Sequence, residues 1–524
     1  WTLMRSLSGK ECPLLFVYPR CLAGPDRLHM VSTLPLNSQH MSSLGQGDSK
    51  QGERIVLKSL EELKVKLEDL ALSAELGSDV FSKIECFSAA NKVEENELAV
   101  SWLQWASTHA WLKLVAQPVP GKVFPDHIHA KITDVKVQGK RYQPDDYLYN
   151  KFDDLRQKVA RGNCILSVSN EKTGLTHSRF MIFALRKFTG GLGDEDNDDI
   201  ADPQSDLTWH KYFLKPVDQC SNVVCTQKEN GEAAHLSVMH IFETFYVCLG
   251  SKNVHIIVKS QEEIDLYEGT RYTFAKEIAH VFFSMISGWS NEKLSTLYSY
   301  LHHTKYTAVM EFLSPEHQHV VNFDNLKQPI LKFITFTQPC RALEDCVDSY
   351  CSLPPSLALE LGKLLGLESI NYYNIQPSDL PLTIDKIRTG RDYEGEVLYF
   401  MDSGNNVVGI LKKKTCWYIM LRAIREKVKR AVMETCKGSL DDVKDRWKIK
   451  LSKRIEEIQS WLKIDPSSCE SWKQLGTGFI EWLFMQIGFK RIENATVLQK
   501  FPEVWKKYLQ DTQQNDHIPV SLLN

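Results

Sequence analysis

The segment Lys228-Glu229-Asn230-Gly231 carries the residue types that covalent catalysis by an amine requires. It follows the apolar pair Val223-Val224, which predicts a strand that leads into a turn. Gly231 permits a tight turn and lets the backbone approach a bound ligand closely. Because only an unprotonated amine is nucleophilic, and nearby positive charge lowers the pKa of a lysine, we predict that cations and a divalent metal activate Lys228.

A carboxylate lies inside a later apolar run, Tyr306 to Leu313, which is typical of a strand. Successive side chains of a strand point to opposite faces, so Glu311 faces away from its neighbours Met310 and Phe312. Its face could be open to solvent or could form the wall of a cleft.

A predicted hairpin adds further charges. Its first strand begins with Glu394-Gly395-Glu396-Val397, and its second runs from Val407 to Lys414. Strand alternation places Lys412 and Lys414 on one face, where two ammonium groups can bind a phosphate, although a lysine-rich strand is also typical of an exposed edge. An amine, paired cations and separated carboxylates together suit nucleotidyl transfer to a lysine, with a magnesium-bound triphosphate as donor.

In their order along the chain, these segments resemble the motifs of the phage-type RNA ligase 1 family. That family belongs to the covalent nucleotidyltransferases, which also include DNA ligases and mRNA capping enzymes. The resemblance covers about half of the chain, from Cys164 to Tyr418. The segments that carry it are Ser178–Phe183, Trp209–Phe213, Lys228–Gly231, Gly250–Asn253, Met310–Pro315, Glu394–Val397 and Lys412–Tyr418.

The resemblance implies an ATP-dependent RNA ligase. Lys228 would attack the α-phosphate of ATP, AMP would pass to a 5′-phosphate RNA end, and a 3′-hydroxyl would displace it. The residues implied in catalysis are Lys228, Lys412, Lys414 and Glu394. Those implied in binding the nucleotide or phosphates are Arg179, Lys211, Phe213, Gly231, Lys252 and Glu311. The ligands implied for Mg²⁺ or Mn²⁺ are Glu311 and Glu394.

Three positions depart from the family pattern. Asn230 stands where many relatives carry Asp, Phe180 follows Arg179 where a Gly is expected, and Asn253 also replaces a Gly. No Gly-x-x-x-x-Gly-Lys-Ser/Thr loop is present, which argues against a fused polynucleotide kinase. Two alternatives stay open: another covalent nucleotidyltransferase, such as a DNA ligase or a GTP-using capping enzyme, and a degenerate ligase that binds RNA ends without chemistry.

The surrounding hydrophobic pattern predicts an α+β protein in which antiparallel sheets form a nucleotide cleft. We predict a poorly structured segment over 1–50 and a mostly helical accessory domain over 51–150, with one helix from Glu94 to Val115. An adenylyltransferase domain would follow over 151–418, with a helix over Gln261–Ile286. An all-helical domain would occupy 419–524. We expect the acidic run Asp194–Asp199 to be a solvated loop.

Composition limits the partners and the compartment. The net charge of -3 shows no overall preference for nucleic acid, so RNA must be bound by local basic patches. The basic residues just after Tyr418 are either a solvated surface or such a patch. An odd count of 13 cysteines argues against a disulfide framework, and no apolar run reaches the length of a membrane span. We therefore expect an intracellular protein, cytoplasmic or nuclear. Its expected partners are ATP and RNA ends, and we expect no membrane partner.

Overall fold

The computed structural model describes residues 55–69, 94–139, 145–191, 193–194, 208–339, 343, 347–435 and 440–523. The segment predicted to be poorly structured, 1–50, lies outside the described residues. The domain boundaries at residues 150 and 418 remain predictions.

The predicted α+β class is confirmed, because helices surround three antiparallel sheets in the described part of the chain. The first sheet has the order β1 (Leu112–Pro118), β2 (Ile128–Val137), β3 (Asn163–Asn170) and β4 (Thr176–Phe183). The second has the order β10 (Ile330–Thr337), β9 (Thr307–Leu313), β6 (Glu232–Ile241), β7 (Thr244–Ser251) and β8 (His255–Val258). The third has the order β11 (Tyr372–Ile375), β5 (Asn222–Lys228), β12 (Gly395–Met401) and β13 (Val407–Lys414).

Helices flank these sheets and form the C-terminal part of the chain. Before β9 they are α1 (Leu60–Asp69), α2 (Glu94–Thr108), α3 (Asp145–Lys151), α4 (Asp153–Lys158), α5 (Thr273–Ile286) and α6 (Asn291–Thr304). Between β10 and β12 they are α7 (Pro355–Leu364) and α8 (Leu380–Thr389). After β13 they are α9 (Cys416–Glu434), α10 (Leu440–Leu462), α11 (Pro466–Gly488), α12 (Asn494–Gln499) and α13 (Phe501–Asp511).

The N-terminal region is less helical than predicted. Helix α2 ends at Thr108 instead of Val115, and β1 begins at Leu112 and pairs in antiparallel register with β2. Because β2 also pairs with β3, residues 112–137 complete a sheet whose other strands lie beyond residue 150. The local apolar spacing after Trp111 suited a helix, but strand pairing with a distant segment decides the conformation. Similarly, short 3₁₀ turns precede α5, which begins at Thr273 rather than near Gln261.

The C-terminal region is helical, as expected, and has its own hydrophobic core. Helix α9 begins directly after β13, with the Thr415 side chain accepting a hydrogen bond from the backbone N–H of Tyr418. Large aromatic side chains fill the core, among them Trp447, Trp472, Trp482 and Trp505. None of the described helices is long and apolar enough to span a bilayer. The free cysteines of the described region are all buried.

Candidate active site

The third sheet brings Lys228 and the paired lysines to one place. Gly395 of β12 lies opposite Lys228 of β5 on one side and opposite Lys414 of β13 on the other. Two residues further along, Val397 lies opposite Lys412. Since facing residues in register share a face of the sheet, Lys228, Lys412 and Lys414 project from the same face.

One carboxylate links two of these cations. Glu394 immediately precedes β12, and its Oε1 lies 2.9 Å from Lys228 Nζ and 3.6 Å from Lys414 Nζ. The Glu394 and Lys414 side chains are only 4% and 3% exposed, whereas Lys228 keeps 23% of its side-chain surface exposed. Lys228 is therefore the least buried side chain of this ion network, which suits a nucleophile.

The amide of Asn230 connects this network to its surroundings. Its Nδ2 donates to Glu394 Oε2 at 2.7 Å and to the hydroxyl of Tyr418 at 2.9 Å. Its Oδ1 accepts from the backbone N–H groups of Val320 and Val321, at 3.1 Å and 3.0 Å. Asn230 is buried. A side chain that both donates and accepts is required here, because its neighbours present acceptors on one side and donors on the other.

Glu311 forms the opposite wall of the cleft. It lies on β9, and its Oε1 accepts from the backbone N–H of Gly231 at 3.0 Å. A Cβ on Gly231 would stand 2.2 Å from the carbonyl oxygen of Phe312, so only glycine permits this approach of the turn to β9. The turn is also held by an ion pair of 3.3 Å between Glu229 and Lys332 of β10. Glu311 therefore faces the turn that carries Lys228.

The pKa of Lys228 differs from the prediction. Burial acts to lower this pKa, but the carboxylates of Glu394 and Glu311 outweigh burial and the repulsion from Lys412, so the pKa is raised. The lysines of the site alone therefore do not lower this pKa, because Glu394 is bonded directly to the amine. Activation of Lys228 requires additional positive charge near it.

The two carboxylates of the cleft titrate in opposite directions. Burial would raise the pKa of Glu394, but Lys228 and Lys414 hold it below the ordinary value. Burial raises the pKa of Glu311 to about 7, opposed by Lys228 and reinforced by the nearby Glu394. Glu311 is thus the carboxylate whose negative charge is least compensated.

This difference decides which carboxylate fits a divalent cation. Mg²⁺ is commonly held by one or two carboxylates together with substrate phosphates. Glu311 fits that description, because a cation beside it would offset the burial and the repulsion from Glu394 that raise its pKa. Both oxygens of Glu394 are already bonded, one to lysine ammonium groups and one to Asn230. We therefore favour Glu311 over Glu394 as the metal ligand.

A family model matches residues 210–425. It is described as a domain of unknown function (DUF7920), and it includes the whole Lys228 network. A search of the curated proteins gave no match. Solved structures similar to this chain include RNA ligase from Naegleria gruberi. A mutant without nucleotide has 11% identity, covers 59% of this chain and 96% of its own, and gives a TM-score of 0.26. A mutant with ATP and manganese has 10% identity over 59% and 97%, with a TM-score of 0.27. Because identity and TM-score are both low, we base the assignment of function on the side chains of the site.

Two of the residues implied in nucleotide binding lie elsewhere. Arg179 of β4 is buried and pairs with Glu95 of α2 at 3.1 Å, and Glu95 also binds Lys305. Phe213 packs edge-on against Phe400, in the hydrophobic cluster on the back face of the third sheet. Neither contacts the Lys228 network, so roles for Arg179 in phosphate binding and for Phe213 in seating the nucleotide are not supported. Strand alternation puts Phe400 opposite to the lysine face, which explains the position of Phe213.

Lys211 and Lys252 also stand outside the network. Lys211 Nζ donates to the carbonyl of Asn150 at 3.4 Å. Lys252 pairs with Asp145 at 2.9 Å and lines a cavity of about 210 Å³. Arg161, which the sequence analysis did not single out, lines the same cavity and lies 3.4 Å from Asp145. Lys252 and Arg161 therefore bring positive charge to a cavity that Lys228 does not line.

The acidic run contains a buried structural residue that sequence analysis missed. Asp194 is fully buried and receives two hydrogen bonds of 2.7 Å from the guanidinium of Arg388. It also accepts from the backbone N–H of Lys414 at 2.8 Å and pairs with Lys413 at 3.3 Å. The expectation of a solvated loop is wrong for Asp194, while residues 195–199 lie outside the described part of the chain. This cluster holds β13 from behind, so that Lys412 and Lys414 face the cleft.

Proposed function

We propose that this protein is an ATP-dependent RNA ligase that forms a covalent AMP adduct on Lys228. The observation that carries the proposal is the partly exposed side chain of Lys228, whose Nζ lies 2.9 Å from Glu394 in a network that also holds the buried Lys414. Lys412 projects from the same face. Cations on the same face as a nucleophile suit attack on a phosphate, where negative charge builds on the oxygens in the transition state.

Each side chain of the site has its own role in the first step, the transfer of AMP to Lys228. Lys228 attacks the α-phosphate of ATP and displaces pyrophosphate. Lys412 and Lys414 neutralise the oxygens of the α-phosphate as their charge shifts. Glu311 would hold a divalent cation, whose positive charge would lower the pKa of the Lys228 amine. Asn230 keeps Glu394 in place, so that the amine stays oriented after it loses its proton.

The later steps transfer AMP to an RNA end and seal it. A 5′-phosphate oxygen attacks the phosphorus of the lysine-bound AMP, Lys228 leaves, and a 3′-hydroxyl then displaces AMP. All three steps are displacements at phosphorus, which positioning and charge can catalyse. RNA ligase is favoured over DNA ligase and capping enzyme because helix α9 follows the paired lysines directly, whereas those relatives usually carry a β-barrel domain there.

Labelling with [α-³²P]ATP and Mg²⁺ tests the nucleophile. The wild-type chain should retain label after denaturation, and Lys228→Ala should retain none. Lys228→Arg keeps the positive charge but should not form a stable adduct, so it separates charge from nucleophilicity. Lys172→Ala removes an exposed lysine and is the matched control, which should be labelled as the wild type is. Equal labelling of Lys228→Ala would refute the site.

Pre-adenylylated RNA separates the chemical steps. Lys228→Ala should fail to join 5′-phosphate RNA with ATP, yet should still seal RNA that already carries a 5′-adenylate, because that step does not need the amine. Substrates are then varied: GTP against ATP, and nicked DNA against single-stranded and nicked RNA. Preference for GTP, or sealing of DNA alone, would move the protein to a sister activity. Binding of RNA without any adduct would identify a degenerate ligase.

A further inference from the structure

One face of helix α9 starts inside the candidate active site. The hydroxyl of Tyr418 accepts from Asn230, two residues after the nucleophile. Arg422, Arg425 and Lys429 follow Tyr418 at intervals of four, three and four residues, which places all four side chains on one face of a helix. At 1.5 Å per residue, this face runs about 16 Å from Tyr418 to Lys429. We call Arg422, Arg425 and Lys429 the α9 stripe.

The stripe is continuous with the wall of the cleft through His319. The loop that contains His319 is anchored at the nucleophile turn, because Val320 N–H donates to Asn230. His319 Nε2 lies 3.2 Å from a carboxylate oxygen of Glu232 on β6, and its Nδ1 lies 3.4 Å from Arg425 Nη2. The polar contacts therefore lead from Asn230 past His319 onto α9 without a break.

Like charges crowd the far end of the stripe. On α10 the cations are neutralised within the helical region, in the pairs Lys444–Asp441, Arg446–Glu434, Lys448–Glu481 and Arg454–Glu457. On the stripe, Arg425 pairs with Glu426. Burial and then repulsion from Arg425 lower the pKa of Lys429 to about 8, although Glu426 opposes this. Such crowding of Arg425 and the half-buried Lys429 is what a bound polyanion would relieve.

We propose that the α9 stripe binds the phosphate backbone of the RNA strand whose end is sealed at Lys228. That the bound strand is RNA rests on the proposed function, whereas the course of the strand along α9 rests on the geometry of the helix. A row of cations that leads away from the nucleophile would hold successive phosphates of one strand and would recognise the backbone without distinguishing bases. The stripe therefore contributes affinity for RNA and sets its direction of approach.

Fluorescence anisotropy with a 5′-phosphorylated single-stranded RNA, measured at several salt concentrations, tests the stripe. For single strands each phosphate contact adds about 0.7 to the slope of log affinity against log salt. The double variant Arg425→Ala/Lys429→Ala should therefore lose about 1.4 from that slope. Equivalently, raising salt from 50 to 200 mM should weaken the wild type about sevenfold more than the double variant. Lys429→Gln, a milder change, should lose about half as much.

Arg430→Ala is the matched control, because it removes a cation of the same helix about 100° away from Lys429 on the helical wheel. Its affinity and salt slope should equal those of the wild type. Equal losses in Arg430→Ala and in the stripe variants, or no loss in the double variant, would overturn the proposal. Tighter binding to single-stranded DNA, with the same dependence on the stripe, would overturn RNA as the partner. The intact mass of the protein is measured separately after incubation with ATP and Mg²⁺. Absence of an AMP adduct would reject the ligase assignment, whereas the RNA affinities of the variants would still test the α9 stripe.

Discussion

Replacing Asn230 with Asp is the sharpest test of the network around Lys228. The change keeps the size of the side chain and converts its donor into a second carboxylate oxygen. That oxygen would stand about where Nδ2 now donates, 2.7 Å from Glu394 Oε2 and 2.9 Å from the hydroxyl of Tyr418. The variant also restores the residue that many members of the resembled family carry, so the structure and the resemblance make opposite predictions.

The energetic cost can be worked from these contacts. Losing the bond to the charged Glu394 costs about 1.5–3 kcal/mol, whereas the hydroxyl of Tyr418 can rotate and donate to the new carboxylate. Two carboxylates at this distance would also repel, by at most about 6 kcal/mol at an effective dielectric constant of 20. Taking up a proton removes this repulsion and restores a donor to Glu394, and a pKa raised by two units costs about 3 kcal/mol. We expect Asn230→Asp to lower the free energy of unfolding by about 3 kcal/mol at pH 8.

The pH dependence identifies the cause. The pKa of the new carboxyl would be raised in the folded state above its unfolded value near 4, so the loss of stability at pH 5 should be about half of that at pH 8. Asn230→Ala loses the hydrogen bonds to both Glu394 and Tyr418 without adding charge, and its loss of stability should change little over that range. Urea unfolding at both pH values, with the rate of AMP transfer to Lys228, measures both effects. If Asn230→Asp matched the wild type in stability at pH 8, or transferred AMP faster, the described network would be wrong.

Three further changes test other parts of the site. Gly231→Ala should abolish AMP transfer, since its Cβ would meet the carbonyl of Phe312 at 2.2 Å, and a labelling rate above a tenth of the wild type would contradict that geometry. The metal-dependent labelling of the wild type should rise with pH through about 7, as Glu311 loses its proton. Glu311→Gln should lose this pH dependence of labelling. It should also be more stable than the wild type at pH 8, because a raised pKa of Glu311 destabilises the folded state at every pH above the pKa of this group in the unfolded chain. Arg388→Ala should lower the free energy of unfolding by about 3–5 kcal/mol, as expected when a buried ion pair loses one partner. Arg388→Lys keeps the positive charge and should lose less stability than Arg388→Ala. If urea titration showed no loss for Arg388→Ala, Asp194 would be held by other groups.

Sequence reasoning was most successful where strand alternation applies. Lys412 and Lys414 face the cleft, and Lys413 turns to the buried Asp194 behind the sheet, as a period of two residues requires. The same rule could not tell which sheet Phe213 would pack on, because that depends on a contact with Phe400, nearly two hundred residues away. Arg179 has the residue type for a phosphate site, but its neighbour Glu95 belongs to a helix that lies far upstream.

The sequence by itself determined which charged residues exist, their order along the chain and the face of the strand on which each stands. These properties follow from local backbone geometry, which a short segment carries within itself. Only the tertiary structure decided which charges meet, because β5, β9, β12 and β13 come together from segments between residues 222 and 414. That assembly bonds Glu394 to Lys228 and raises the pKa of the amine, a result that neighbours along the chain could not predict, since electrostatic interactions depend on distance through space.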